Sequence, residues 1–260
     1  MAELGDHSTR PVLVIGHPGH ELRVHGWLET QQPSVFVLTD GSRHAGRSRL
    51  QSTTRVLTAA GARPGAIYGR FSDREIYAAI LERRFDVFVQ LAEDLAGVLV
   101  ADRVEWVASD ACEGFNPTHD VCRLITDTAI ALACRACGQS IASYAFPLDG
   151  PPVVDAAGAI RISLDDAAFA RKLAAAHGYA DLRGEVDDAF TKHGVDAFRT
   201  ECLVPVEEPY SADRFADAAP YYEQHGERQV AAGFYTHVIR YRDHVAPLAE
   251  ALRRHAEGER

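Results

Sequence analysis

The chain has 260 residues, 47% hydrophobic and 25% charged, proportions that exclude a fibrous or disordered polymer and fit one to one-and-a-half domains. Its 27 basic and 37 acidic residues leave a net charge of −10, with no electrostatic footprint for nucleic acid or an anionic membrane. No apolar run is long enough for a membrane span, MAELGDHSTR lacks a signal-peptide pattern, and five cysteines argue against a disulfide framework, so a soluble cytoplasmic protein is expected.

Residues 11–16 (PVLVIG) form a continuous apolar run, the pattern of a strand buried on both faces of a parallel sheet. A helix is predicted over 21–30, then a strand over 34–38 (SVFVL) that ends at the turn Thr39-Asp40-Gly41. A loop rich in Gly, Ser and Arg leads to a helix over 50–60, closed by Gly61. A weaker strand follows around 66–68, and helical periodicity then runs over 73–96. Next come a strand at 104–108 (VEWVA), a polar loop over 109–119, an apolar helix over 121–136 and a strand over 140–146. This βαβ rhythm predicts an α/β fold, a Rossmann-like open, mostly parallel sheet flanked by helices, over residues 1–150. After Gly150-Pro151-Pro152 the character changes, and residues 151–260 are expected to form a C-terminal α+β elaboration. It would comprise a hairpin or short strand pair over 153–163, helices over 165–177 and 182–193, a long polar and aromatic segment over 209–229, and a closing helix over 245–255.

Open α/β sheets bind ligands outside the carboxyl ends of their strands, and two polar clusters fall at such ends here. One is Gly16-His17-Pro18-Gly19-His20-Glu21, directly after the first strand; the other runs from Glu113 to Asp120, after VEWVA. If the strands pair in the order expected, His17, His20 and His119 meet at one rim. Three imidazoles, two of them spaced i, i+3 across a sharp turn, suit a catalytic zinc site with an open fourth position. On spacing alone, solvated loop histidines remain the competing reading.

The run VLVIGHPGHE resembles the opening of the LmbE/PIG-L family of zinc-dependent N-deacetylases, whose members carry A-H-P-D-D-E at the end of the first strand. NPTHD is similar to the family's second motif, H-P-D-H, which also precedes a long helix. The intervening TDG, the Arg49 helix start and the Asp73 segment agree in order and spacing, and the resemblance covers about residues 11–145. It implies that His17 and His119 are metal ligands and that His20 stands where the family has a metal-binding aspartate. Gly19 stands where the family has its general base, and Asn116 and Thr118 replace the His and Asp of H-P-D-H, which implies that Asn116 takes the catalytic place of a histidine that stabilises the transition state. Exchanging an aspartate ligand for imidazole raises the formal charge of the ion with its ligands by one unit. That acidifies bound water toward a pKa of about 7 and partly offsets a missing base. The same donor set suits iron, nickel or copper.

With no side chain at position 19, the space of the base is expected to be vacant, water-filled or taken by another acid, with Glu113, Asp110 and Asp120 as candidates. Glu21 reads as a helix-opening residue or a brace for a histidine. Arg43, Arg47 and Arg49 either hold an anionic substrate or form a basic loop. Cys134-Arg135-Ala136-Cys137 is read as a buried structural pair rather than a redox or metal motif. In the tail, Phe215, Tyr221, Tyr222, Phe234, Tyr235 and His237, with Arg228 and Arg240, suggest a loop-containing pocket wall or a contact between subunits of a homo-oligomer. The leading expectation is a metal-dependent hydrolase that cleaves a C–N amide bond of a small polar molecule, with zinc as its cofactor. A three-histidine iron enzyme on the same fold, and a catalytically degenerate metal- or ligand-binding relative, are the alternatives.

Overall fold

The computed structural model describes residues 11–42, 46–150, 156–207, 214–215 and 218–259. Strand β1 (Pro11–Ile15) leads through a 3-10 segment (His20–Val24) into α1 (His25–Gln31) and β2 (Ser34–Thr39). Then come α2 (Leu50–Ala60), β3 (Arg63–Phe71), α3 (Asp73–Leu81), α4 (Phe85–Ala101), β4 (Trp106–Asp110), α5 (Pro117–Cys137) and β5 (Ala142–Phe146). The remainder adds β6 (Ile160–Ser163), α6 (Asp166–His177), α7 (Arg183–His193), β7 (Thr200–Pro205), α8 (Tyr221–Ala231) and α9 (Ala246–Glu257). The strands make one seven-stranded sheet in the order β3-β2-β1-β4-β5-β7-β6. Strands β1 to β5 run parallel, β7 joins β5 antiparallel, and β6 pairs antiparallel with β7.

Strand β1 is buried along its whole length, as its unbroken apolar run requires. Val12 and Val14 face one way into a core shared with Phe88, Leu91 and Leu95 of α4, Val121 and Ile125 of α5, and Leu248 and Leu252 of α9. Leu13 and Ile15 face the other way into a second core with Trp27 and Leu28 of α1, Leu57 of α2, and Trp106. Helices thus cover both faces of the parallel part of the sheet. Among the described residues, no helix is long and apolar enough to cross a membrane.

Several boundaries differ from the sequence reading. Strand β3 has nine residues rather than three; its register against β2 shifts twice, and Pro64, Gly65 and Gly69 break the alternation by which an edge strand is recognised. The helical stretch over 73–96 is two helices, broken at Arg83 (φ 54°), where neither glycine nor proline marks the stop. Helix α5 begins at Pro117, because the Asn116 side chain accepts a hydrogen bond from the Thr118 N–H at 2.8 Å and Pro117 takes the first helical position; His119 and Asp120 therefore lie in its first turn, not in a loop. In the segment 153–163, residues 153–155 lie outside the described residues, and the rest supplies the single strand β6, which pairs with β7 instead of closing a local hairpin. Strand β7 carried no separate signal, and residues 221–231 are helical although their aromatics lack a clean amphipathic stripe.

The elaboration is tied to the first half by a buried ion pair. Lys172 on α6 donates from Nζ to Glu201 on β7 at 2.8 Å and to the Arg23 carbonyl at 3.2 Å. Glu201 also accepts from the Gly26 and Trp27 N–H groups, at 2.8 and 2.9 Å, at the positive end of α1. Burial holds the Lys172 ammonium pKa below its usual value. Removing one partner of such a pair strands the other charge in a dry interior. Glu201→Ala is therefore expected to cost about 3–5 kcal/mol in urea unfolding, and Glu201→Gln, which keeps an acceptor for the helix N–H groups, to cost less.

Candidate metal centre

The chain winds one way through β1, β2 and β3 and the other way through β4 and β5, so the winding reverses between β1 and β4. At that point the loops after two adjacent strands part and leave a crevice outside their carboxyl ends. The segment after β1 carries His17 and His20, and the segment after β4 leads into the first turn of α5 and His119. A direct bond ties the two ends: the Gly16 N–H donates to Asp110 Oδ2 at 2.8 Å. A Cβ at Gly16 would stand 3.1 Å from that oxygen, a tight approach that a larger residue could make only by displacing the carboxylate.

The three imidazoles gather in this crevice. Ring centroids are 5.4 Å apart for His17 and His20, 5.3 Å for His17 and His119, and 4.5 Å for His20 and His119. Two rings are anchored from behind. The Thr39 hydroxyl donates to the Gly16 carbonyl at 3.1 Å, so it accepts from His17 Nδ1, 2.7 Å away; Asp73 Oδ1 lies 3.0 Å from the same nitrogen. That places the His17 proton on Nδ1 and leaves Nε2, which is buried and makes no hydrogen bond, with its lone pair. His20 Nδ1 lies 2.9 Å from Asp110 Oδ2, which fixes that ring the same way. Carboxylates behind the Nδ1 atoms, with Nε2 carrying the lone pair, are the support usual for metal-ligating histidines. The rings meet edge to face, and among the described residues no group of three His, Cys, Asp or Glu already stands as an assembled metal-binding set.

Each acid considered for the vacant base position has other partners. Asp110 closes β4 and is fully buried, not in the loop expected; it braces Gly16 and His20, and burial pushes its pKa up to about 7. Asp120 Oδ1 accepts from the Glu113 and Gly114 N–H groups, both at 3.1 Å, and burial raises its pKa to about 6. Glu113 Oε2 accepts from the Leu148 and Asp149 N–H groups, at 2.8 and 3.2 Å, joining two loops, and burial raises its pKa too. Glu21, fully buried with a pKa raised to about 7 by burial, accepts from the Gly19 N–H at 2.7 Å and pins the histidine turn. The space beside Gly19 is neither vacant nor acidic. A Cβ there would lie 2.2 Å from Leu182 Cδ1, so an apolar side chain of the C-terminal half fills it.

The remaining candidates divide. Asn116 caps α5, and its Oδ1 also receives the Tyr77 hydroxyl at 3.5 Å. Arg49 is buried, its Nε donating to the Gly41 carbonyl at 2.6 Å; Arg47 is exposed, and Arg43 lies outside the described residues. Cys134 is half-buried and Cys137 exposed, so the pair is not the buried one expected, because the end of α5 projects past the core. The tail aromatics do reach the rim. Phe115 stacks on Tyr221 with centroids 5.3 Å apart and planes 8° from parallel, Tyr221 neighbours His225 at 6.1 Å, and Tyr235 lies 6.3 Å from Tyr77. Tyr222 is buried beneath, its N–H donating to the Gly114 carbonyl at 3.2 Å. His237 is exposed, with its ring nitrogen Nδ1 3.0 Å from the Thr236 hydroxyl. Sequence reasoning missed Thr39 as an anchor of His17 and Tyr179 and Leu182 over Gly19. Thr39 was legible as the residue ending the neighbouring strand at the same rim; the other two were not, being brought there from more than 150 residues away.

No family model matches the sequence, and no curated protein matches it. Solved structures do. The zinc-inhibited form of teicoplanin deacetylase Orf2 aligns at 13% identity with a TM-score of 0.52, over 77% of this chain and 100% of that one. The A40926 pseudoaglycone deacetylase Dbv21 aligns at 20% identity with a TM-score of 0.53, over 78% and 99%. A deacetylase of the teicoplanin biosynthesis pathway, in its bog complex, aligns at 16% identity with a TM-score of 0.52, over 77% and 100%. At these identities the likeness is one of fold, and the fold is that of the LmbE-like deacetylases.

Proposed function

We propose that this chain is a metal-dependent hydrolase of the deacetylase-like type, cleaving a C–N amide bond of a small polar molecule, with His17, His20 and His119 holding a zinc ion. The observation that carries the reading is the gathering of three imidazoles in the crevice between β1 and β4, two of them with Nδ1 set against a carboxylate. A divalent ion held there supplies Lewis acidity, polarising an acyl oxygen and acidifying water. Asp73 and Asp110 orient the rings and raise their basicity. Asn116 caps α5 through its oxygen and so keeps its amide NH2 for the substrate. Glu113, Asp110 and Asp120 brace the loops and rings, and position 19 itself supplies no carboxylate base. Phe115 and Tyr221 bound the crevice on the α8 side and supply an apolar wall for the part of the substrate beyond the acyl group.

Metal analysis of protein purified without added metal tests the proposal. Zinc near one equivalent supports it, iron moves the chemistry to a three-histidine iron enzyme, and no metal together with no hydrolysis of N-acetyl sugars or N-acyl amines overturns it. Asp110→Asn is expected to weaken metal binding by about 10–100-fold in a chelator competition. By contrast, Asp120→Asn keeps the acceptor for the Glu113 and Gly114 N–H groups and should retain stability and turnover, whereas Asp120→Ala should lose about 1–3 kcal/mol in thermal or urea unfolding. Phe115→Ala and Tyr221→Ala are expected to raise KM while leaving kcat nearly unchanged, the signature of lost uniform binding in steady-state kinetics.

A further inference from the structure

The turn joining His17 to His20 passes through Gly19 at φ 109°, a conformation that residues with side chains rarely adopt. The direction in which residue 19 would project is occupied: besides Leu182 Cδ1 at 2.2 Å, the Tyr179 ring carbon Cζ lies 3.9 Å from that point. The Gly19 N–H is turned to Glu21, so the turn offers no backbone donor on this flank. Leu182 ends a 3-10 segment, Ala180–Leu182, between α6 and α7, and is buried with Leu22, Val56, Ala176 and Tyr179 in a small apolar cluster of its own. Tyr179 fixes the segment in place, exchanging a hydrogen bond with the Thr53 hydroxyl at 2.8 Å and donating to the Arg49 carbonyl at 3.3 Å. Helix α2 therefore holds the α6–α7 connection, and that connection covers the histidine turn. In the loop between β4 and α5, which leads to His119, Phe115 stacks on Tyr221, and each ring is more than 40% exposed.

We propose that Leu182 is a specificity-determining residue of the histidine site. It stands where a side chain at position 19 would stand, keeps water and bulky ligand groups off that flank of His17 and His20, and leaves the Asn116, Phe115 and Tyr221 flank as the way in. The proposal rests on the reading of the histidine cluster as the reactive centre, but its test needs neither metal nor turnover. A steric pair of this kind must be non-additive, since each member sets the space of the other. In the metal-free full chain, Gly19→Ala should lower Tm by several degrees when Leu182 is present and by clearly less when Leu182 is alanine; equal losses in the two backgrounds overturn the proposal.

Accessibility supplies the second measurement. Diethyl pyrocarbonate, followed by peptide mass spectrometry, reads acylation of each histidine. Leu182→Ala should speed acylation of His17 and His20 severalfold, leave the exposed His237 and the buried His25 unchanged, and be reversed by Leu182→Met, which keeps the volume. Unchanged rates at His17 and His20 overturn the proposal. So does faster acylation of His25, which would mean that Leu182 supports the domain at large. Absence of bound metal together with absence of hydrolysis would defeat the hydrolase reading without touching either result.

Discussion

One carboxylate holds the site together. Asp110 lies at the end of β4 with no solvent exposure, and its Oδ2 receives both the Gly16 N–H at the end of β1 and Nδ1 of His20. These bonds lock the two strand ends at the reversal of sheet winding and aim one of the three rings. A charge in that position is costly: burial raises the Asp110 pKa, and the hydrogen bond from the Gly16 N–H opposes the rise. The sheet brings the strand ends together; Asp110 turns that proximity into a fixed geometry.

Around that point the support is asymmetric. His17 is anchored from the β2 and α3 side by Thr39 and Asp73, His20 from β4, and His119 by its place in the first turn of α5. The α5 start is itself set by an asparagine cap and a proline, so local chain chemistry decides that His119 falls in the first turn, and packing of α5 on the sheet places that turn. The acids near the rim are drawn into backbone hydrogen bonds, Asp120 to the 113–114 turn and Glu113 to the 148–149 loop, which stiffens the frame on which Phe115 and Asn116 sit.

The C-terminal half is an integral part of this construction. Lys172 and Glu201 fasten α6 and β7 to the start of α1, immediately after the histidine turn, and the same α6–α7 region lays Leu182 over Gly19. Helix α8 meanwhile rests on the Gly114 carbonyl through Tyr222 and presents Tyr221 to Phe115. Two separate parts of the elaboration thus touch the loops that carry the histidines, Leu182 at the turn after β1 and Tyr221 at the loop before α5.

The sequence by itself determined the α/β class, the buried parallel strands and the three histidines, because those features are local: a short apolar run closed by a turn is the pattern of a doubly covered strand, and a sharp His-Pro-Gly-His turn follows it. It also carried the start of α5 in Asn116-Pro117. It did not contain the break at Arg83, which no glycine or proline marks, nor the length of β3, whose register shifts hide its alternation, nor β7. Tertiary structure alone decided which groups surround the acids, since the N–H groups and rings they meet come from separate segments of the chain. It also decided what stands over Gly19: a missing side chain reads as a gap in sequence, and only packing reveals that a leucine 163 positions away fills it, because close-packed interiors leave no such space empty.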